Sequence, residues 1–135
     1  MKELVIDAKI ENLDDVLGFI DGELEMAECP MKTQMQLDVA VEEIFVNIAN
    51  YSYTPEIGEA TISIEVQDSP KKVVITFKDS GIPFDPTAKE DPDITLSAQE
   101  RQVGGLGIFM VKKSMDTMKY EYTEGQNVLE ITKTL

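Results

Sequence analysis

Between about residues 31 and 53, Leu37, Val41, Ile44, Ile48 and Tyr51 recur at offsets of four, three, four and three. A helix completes a turn every 3.6 residues, so this spacing draws a single apolar stripe along about four turns. Val39 and Val46 fall on a further side, which predicts a helix apolar over much of its circumference and central to the domain. A shorter helix precedes it. Val16, Leu17, Ile20, Leu24 and Ala27 keep helical spacing from Leu13 onward, with Asn12 placed to cap the start and Cys29-Pro30 to end it. The remaining apolar positions alternate instead. Leu4, Ile6, Ala8 and Ile10 read as a strand; Ile62, Ile64, Val66 and then Val73, Ile75, Phe77 read as a hairpin turning at Ser69-Pro70-Lys71-Lys72. Gly104-Gly105-Leu106-Gly107 opens a third helix to about Asp116, and two strands close the chain around Glu124-Gly125. The expected architecture is α+β: a two-layer α/β sandwich, helices on one face of a mixed, mostly antiparallel sheet. A length of 135 residues suits one domain over 1–135.

Charge narrows the partners. The chain carries 12 basic and 26 acidic residues, for a formal net charge of −14. That field opposes phosphate backbones and anionic lipid, so neither nucleic acid nor membrane is expected. With no histidine in the chain, Ser-His-Asp and Cys-His catalysis and His-ligated zinc are excluded. One cysteine, Cys29, excludes an internal disulfide and a thiolate metal cluster, and the N-terminal residues lack the charge and apolar pattern of a secretory signal. The expected location is cytoplasmic.

Three clusters carry chemistry. Glu43, Asn47 and Asn50 lie at i, i+4 and i+7 of the long helix, so they emerge in one narrow sector beside the apolar stripe. An amide oxygen at Asn47 suits Mg²⁺, and a carboxylate at Glu43 suits a general base; the same positions also suit the polar side of any amphipathic helix. Asp79-Ser80-Gly81-Ile82-Pro83 follows an apolar strand. Asp79 can accept a hydrogen bond from the exocyclic amine of a base, and Gly81 lets backbone approach a planar ring; a plain D-x-G turn is the alternative. Gly104, Gly105, Leu106 and Gly107 at a helix start can turn backbone N–H groups toward a phosphate without any lysine, or can simply permit a tight turn and close packing. Between the last two clusters runs a proline-containing stretch, with a lid expected at about 86–103 because long unpatterned loops are uncommon unless they cover or bind something.

Glu43-x-x-x-Asn47, Asp79-x-Gly81-x-Pro83 and Gly104-Gly105-Leu106-Gly107 resemble the N, G1 and G2 boxes of the GHKL ATPase superfamily. Val41-Glu42-Glu43-Ile44-Phe45-Val46-Asn47 and Gly105-Leu106-Gly107-Ile108-Phe109-Met110 are similar to the anti-sigma factor serine/threonine kinases within it. The resemblance implies a Bergerat sandwich in which Asn47 coordinates Mg²⁺, Asp79 receives the adenine amine, Gly81 lies beside the base, and Gly105 and Gly107 face the triphosphate of ATP. By the same resemblance Glu43 is the base that prepares a serine or threonine hydroxyl on a protein substrate. The chain departs from that pattern at Tyr51, where many of these kinases have histidine, and at Asn127-Val128, where a threonine pair often assists the adenine site. Arg101 is the nearest basic residue before the glycines.

The function expected from this resemblance is an ATP-binding regulator that holds a protein partner, a sigma factor or an anti-anti-sigma-like antagonist, and phosphorylates the antagonist. The resemblance also suggests a homodimer, and the N-terminal strand offers an edge for one. Two other readings fit the residues less fully: a catalytically silent, ATP-sensing interaction module, and an interaction domain that binds no nucleotide.

Overall fold

A computed structural model of the protein describes residues 1–52, 58–68, 71–83 and 105–135. The expected lid at about 86–103 and Gly104 lie outside the described residues. The chain runs β1 (Lys2–Asp7), α1 (Leu13–Met26), α2 (Met31–Asn47), β2 (Glu59–Gln67), β3 (Lys72–Asp79), α3 (Gly105–Ser114), β4 (Thr117–Thr123) and β5 (Gln126–Thr134). A 3₁₀ turn at Ile10–Asn12 leads into α1, and a π-helical turn at Ile48–Ser52 follows α2.

The strands form one sheet in the order β1-β2-β3-β5-β4. Every described pair is antiparallel, with Ile62 opposite Phe77, Ile75 opposite Ile131 and Tyr120 opposite Leu129. Side chains alternate across a strand, and here the alternation buries one face only. Val73, Ile75, Phe77 and Asp79 are buried along β3 while Val74, Thr76 and Lys78 between them are half-buried. The buried row meets Val16, Ile20 and Leu24 of α1, Leu37, Val41, Ile44 and Phe45 of α2, and Val111 of α3 in one core. The α+β sandwich is as the sequence pattern requires, and β1 is an edge strand.

The long helix packs against both α1 and α3, which puts it at the centre of the helical layer. Its apolar character is one-sided all the same. Val39 is 54% exposed, and Met31 and Met35 are exposed on the same flank, so the expectation of an apolar circumference is corrected here. The sheet lies beneath α2 and helices flank it, which leaves the outer side to solvent.

Chain ends are set locally. Asn12 occupies the position before α1 but donates its amide to the Asp7 carbonyl at 3.0 Å and makes no side-chain capping bond to the helix, contrary to the expected cap. The helix closes with Cys29 N–H donating to the Leu24 carbonyl at 3.0 Å and Glu28 at φ 58°, a left-handed C-terminal closure. At the β4–β5 turn Glu124 (φ 53°) and Gly125 (φ 77°) are both left-handed, which matches the twist of the strands they join.

Candidate functional site

Asp79 ends β3 and is 4% exposed, on the face of the sheet that the helices cover. Its strand partners are Ala60 on one side and Asn127 on the other. A carboxylate at such a place needs hydrogen-bond donors, because burying it without them costs several kcal/mol, ~2–7 even for a neutral polar group. Two donors reach the same oxygen. Gly81 N–H donates to Asp79 Oδ1 at 3.0 Å, closing the D-x-G turn, and Asn127 Nδ2 donates to that oxygen, also at 3.0 Å.

Asn127 does more than face Asp79. It is 6% exposed, and its Nδ2 also donates to the Ile82 carbonyl at 3.0 Å, so both amide hydrogens are spent on the turn that carries Asp79. The hydroxyl of Tyr120 donates to Asn127 Oδ1. Gln126 Nε2 adds a longer bond, 3.5 Å, to Ser80 Oγ. The turn after β3 is thus sewn to β5 by two neighbouring side chains.

Asn127 and Tyr120 are the site residues that sequence spacing missed. Asn127 stood out only as a departure from a threonine pattern, and nothing along the chain links it to Asp79, 48 residues away. The signal that could have found it is the hairpin register: β3 against β5 places an amide directly opposite the carboxylate, and β4 against β5 puts Tyr120 diagonal to that amide on the same face.

Glu43 and Asn47 are half-buried on the last turns of α2, and Asn50 is exposed in the π-helical turn beyond. Their i, i+4 spacing keeps the first two on one side of the helix, as expected. The π turn begins at the residue after Asn47, where the ordinary i+4 ladder stops. Turns of this kind are rare and recur at functional sites. Glu59, which starts β2, precedes Ala60, the partner of Asp79.

Helix α3 starts at Gly105, and Gly105, Leu106 and Gly107 form its first turn, where N–H groups have no partner within the helix. The other end is fixed. Lys133 donates to the Ser114 carbonyl, and the carboxylate of Asp116 accepts from the Thr134 backbone N–H at 2.6 Å and its hydroxyl at 2.7 Å. Those two hydrogen bonds hold the Asp116 carboxyl below the usual carboxylate range. Thr134 lies at the end of β5 remote from Asn127, so the C-terminal end of α3 is tied to that end of the sheet. Lys112 and Lys113 occupy its last turn, where cations suit the helix dipole.

Among the described residues no cluster of three or more acidic, cysteine or histidine side chains forms a metal cage. No described helix is long and apolar enough to cross a membrane.

An antiparallel sheet covered on one face by three helices, with a buried acceptor at a strand end, a polar helix end and a glycine-rich helix start, defines a two-layer α+β sandwich. The chain belongs to the histidine kinase-like ATPase domain family, whose profile matches residues 6–133. It is 26% identical over 101 residues to the serine/threonine-protein kinase BtrW of Bordetella bronchiseptica, covering 75% of this chain and 70% of that one. It is 31% identical over 98 residues to the serine-protein kinase RsbW of Listeria monocytogenes, covering 69% of this chain but only 61% of the relative. Its fold matches a chain in the crystal structure of the SiaB-SiaC complex from Pseudomonas aeruginosa, with a TM-score of 0.59 at 13% identity over 98% of this chain and 89% of that one.

Proposed function

We propose that this chain is the ATP-binding kinase domain of an anti-sigma-type regulator, which docks a protein partner and moves the γ-phosphoryl group of Mg²⁺-ATP to a serine or threonine of an antagonist protein. The observation that carries this reading is Asp79, an acceptor built into a strand end and held there by donors on both sides, in a chain of the ATPase family whose relatives are named protein kinases. The sigma factor or anti-anti-sigma-like antagonist is the partner this reading requires. We place its action in the cytoplasm, in keeping with a free Cys29, and we take the β1 edge as the place where a homodimer would form.

Each residue has a task. Asp79 accepts the adenine amine while Gly81 leaves room beside the ring. Asn47 supplies the amide oxygen that would hold Mg²⁺, and the ion when bound neutralises charge on the phosphate oxygens. Asn50, further along the same flank, belongs to the nucleotide side of the helix. The N–H groups at Gly104 to Gly107 and the α3 dipole favour the triphosphate without a cationic side chain. Glu43, one turn before Asn47, takes the proton from the incoming hydroxyl as its oxygen bonds to phosphorus and the bond to the β–γ bridging oxygen breaks. Such transfer depends mainly on positioning and electrostatics, so the carboxylate needs little tuning.

The test is transfer from γ-labelled ATP to anti-anti-sigma-type proteins, comparing wild type with Glu43→Gln. The expected result is retained ATP binding and lost transfer in the variant. Tight ATP binding by a wild-type protein that transfers to no such acceptor would leave a silent nucleotide sensor instead.

A further inference from the structure

Asp79 has two oxygens, and among the described residues both protein donors fall on Oδ1. Oδ2 is the oxygen left for a ligand. Which way the carboxylate faces is set by Gly81 and Asn127 together, and the Asn127 amide is held by three bonds: its two hydrogens on Asp79 and Ile82, and its oxygen on the Tyr120 hydroxyl. Turned the other way, the amide would set its oxygen against Asp79 Oδ1 and the Ile82 carbonyl, three acceptors together, and would leave its N–H groups pointing toward the phenol. The two acceptors choose the observed orientation, and the hydroxyl of Tyr120, donating to the amide oxygen, adds a third bond that stiffens it.

We propose that Tyr120 and Asn127 are positioning residues that set the preference for a 6-amino over a 6-oxo purine nucleotide. This rests on the ATP-binding reading above and goes beyond it in assigning the selectivity to two side chains on β4 and β5. The chemistry is direct. A carboxylate oxygen matches the amino group of adenine and repels the carbonyl oxygen of guanine or hypoxanthine. The Asn127 amide is a side-chain donor beside that carboxylate, and its two hydrogens are committed to Asp79 and Ile82. Tyr120 keeps them committed. Without its hydroxyl the amide loses one of the bonds that hold it, and an N–H is more easily turned from Ile82 to a 6-oxo group.

Two variants separate this role from plain support of the turn. In calorimetric titrations with the Mg²⁺ complexes of ATP, GTP and ITP, Tyr120→Phe is expected to lower the preference for ATP over both oxo nucleotides by about tenfold, the order of one hydrogen bond, mainly through a gain for GTP and ITP. Asn127→Ala is expected to weaken ATP binding without any gain for GTP or ITP, since no amide remains to turn. ITP matters because it lacks the 2-amino group of GTP, so a matching shift for both locates the effect at the 6-position. If Asn127→Ala does not fold, Tyr120→Phe carries the test alone. A Tyr120→Phe protein in which all three affinities fall together, at an unchanged ratio, would overturn the proposal and leave the ATP-binding reading standing. A folded wild-type protein that binds none of the three would overturn both.

Discussion

Ile44 and Asn47 are three residues apart on α2, yet they answer to different demands. Ile44 is 2% exposed in the core, whereas Asn47 is half-buried at the helix end. Replacing Ile44 by alanine should cost ~2–5 kcal/mol of folding stability, from lost transfer energy and the cavity left behind. Asn47→Ala should barely move stability and should remove the Mg²⁺-dependent part of ATP affinity. Denaturant unfolding of both variants, beside ATP titrations with and without Mg²⁺, checks the contrast. An Asn47→Ala protein that unfolds easily but binds Mg²⁺-ATP fully once folded would make that residue structural.

At the scale of elements, the interface between α1 and α2 holds a like-charged pair. Asp21 and Asp38 each have an oxygen buried without a hydrogen-bond donor, and burial, with the neighbouring Asp21 carboxyl adding to it, pushes Asp38 up to about 7. Burial also raises the thiol of Cys29, with Asp38 adding to the effect and Lys71 opposing it. The linkage follows from the direction. A carboxyl whose folded pKa lies above its unfolded value binds its proton more tightly when folded, so stability is highest in acid and falls as pH rises from about 4 toward about 7. Asp116 works in the opposite sense, adding stability above the ordinary carboxylate range that is lost as pH falls through its lowered value. Urea unfolding at pH 5 and pH 8 should show wild type less stable at the higher pH and Asp38→Asn with that decline much reduced. An equal decline in both would assign it to another group. The elements themselves were readable from periodicity, since a row such as Val73, Ile75, Phe77 records which face the core takes. What spacing could not show was anything decided between elements. Val39 repeats on the helix like a core residue, yet is exposed because no layer covers that side, and Asn12 has a capping residue's chemistry but makes no bond to the helix, its side chain donating to the Asp7 carbonyl instead. Asp79 was legible as a strand-end acceptor; its donor Asn127 required the β3–β5 register.

For the whole molecule, the same −14 that opposes phosphate backbones acts on any anionic nucleotide. Under the proposed function, ATP approaches a surface rich in carboxylates before it meets the short-range N–H groups of α3. Long-range repulsion and local attraction have different reach. The first is screened over a Debye length of ~30 Å at 0.01 M salt and ~10 Å at 0.1 M, while hydrogen bonds at a helix start act within contact distance. Added salt should therefore speed association, the reverse of the dependence shown by proteins that bind phosphate through lysine and arginine. Stopped-flow mixing with a fluorescent ATP analogue should show the association rate constant rising roughly two- to tenfold between 10 and 150 mM NaCl, with dissociation changing far less. Magnesium should raise it further at equal ionic strength, because it reduces the charge of the nucleotide itself. A rate that falls with salt would mean that cationic side chains form an attractive funnel over the site, and phosphate binding would then rest on them and not on the glycine-rich helix start.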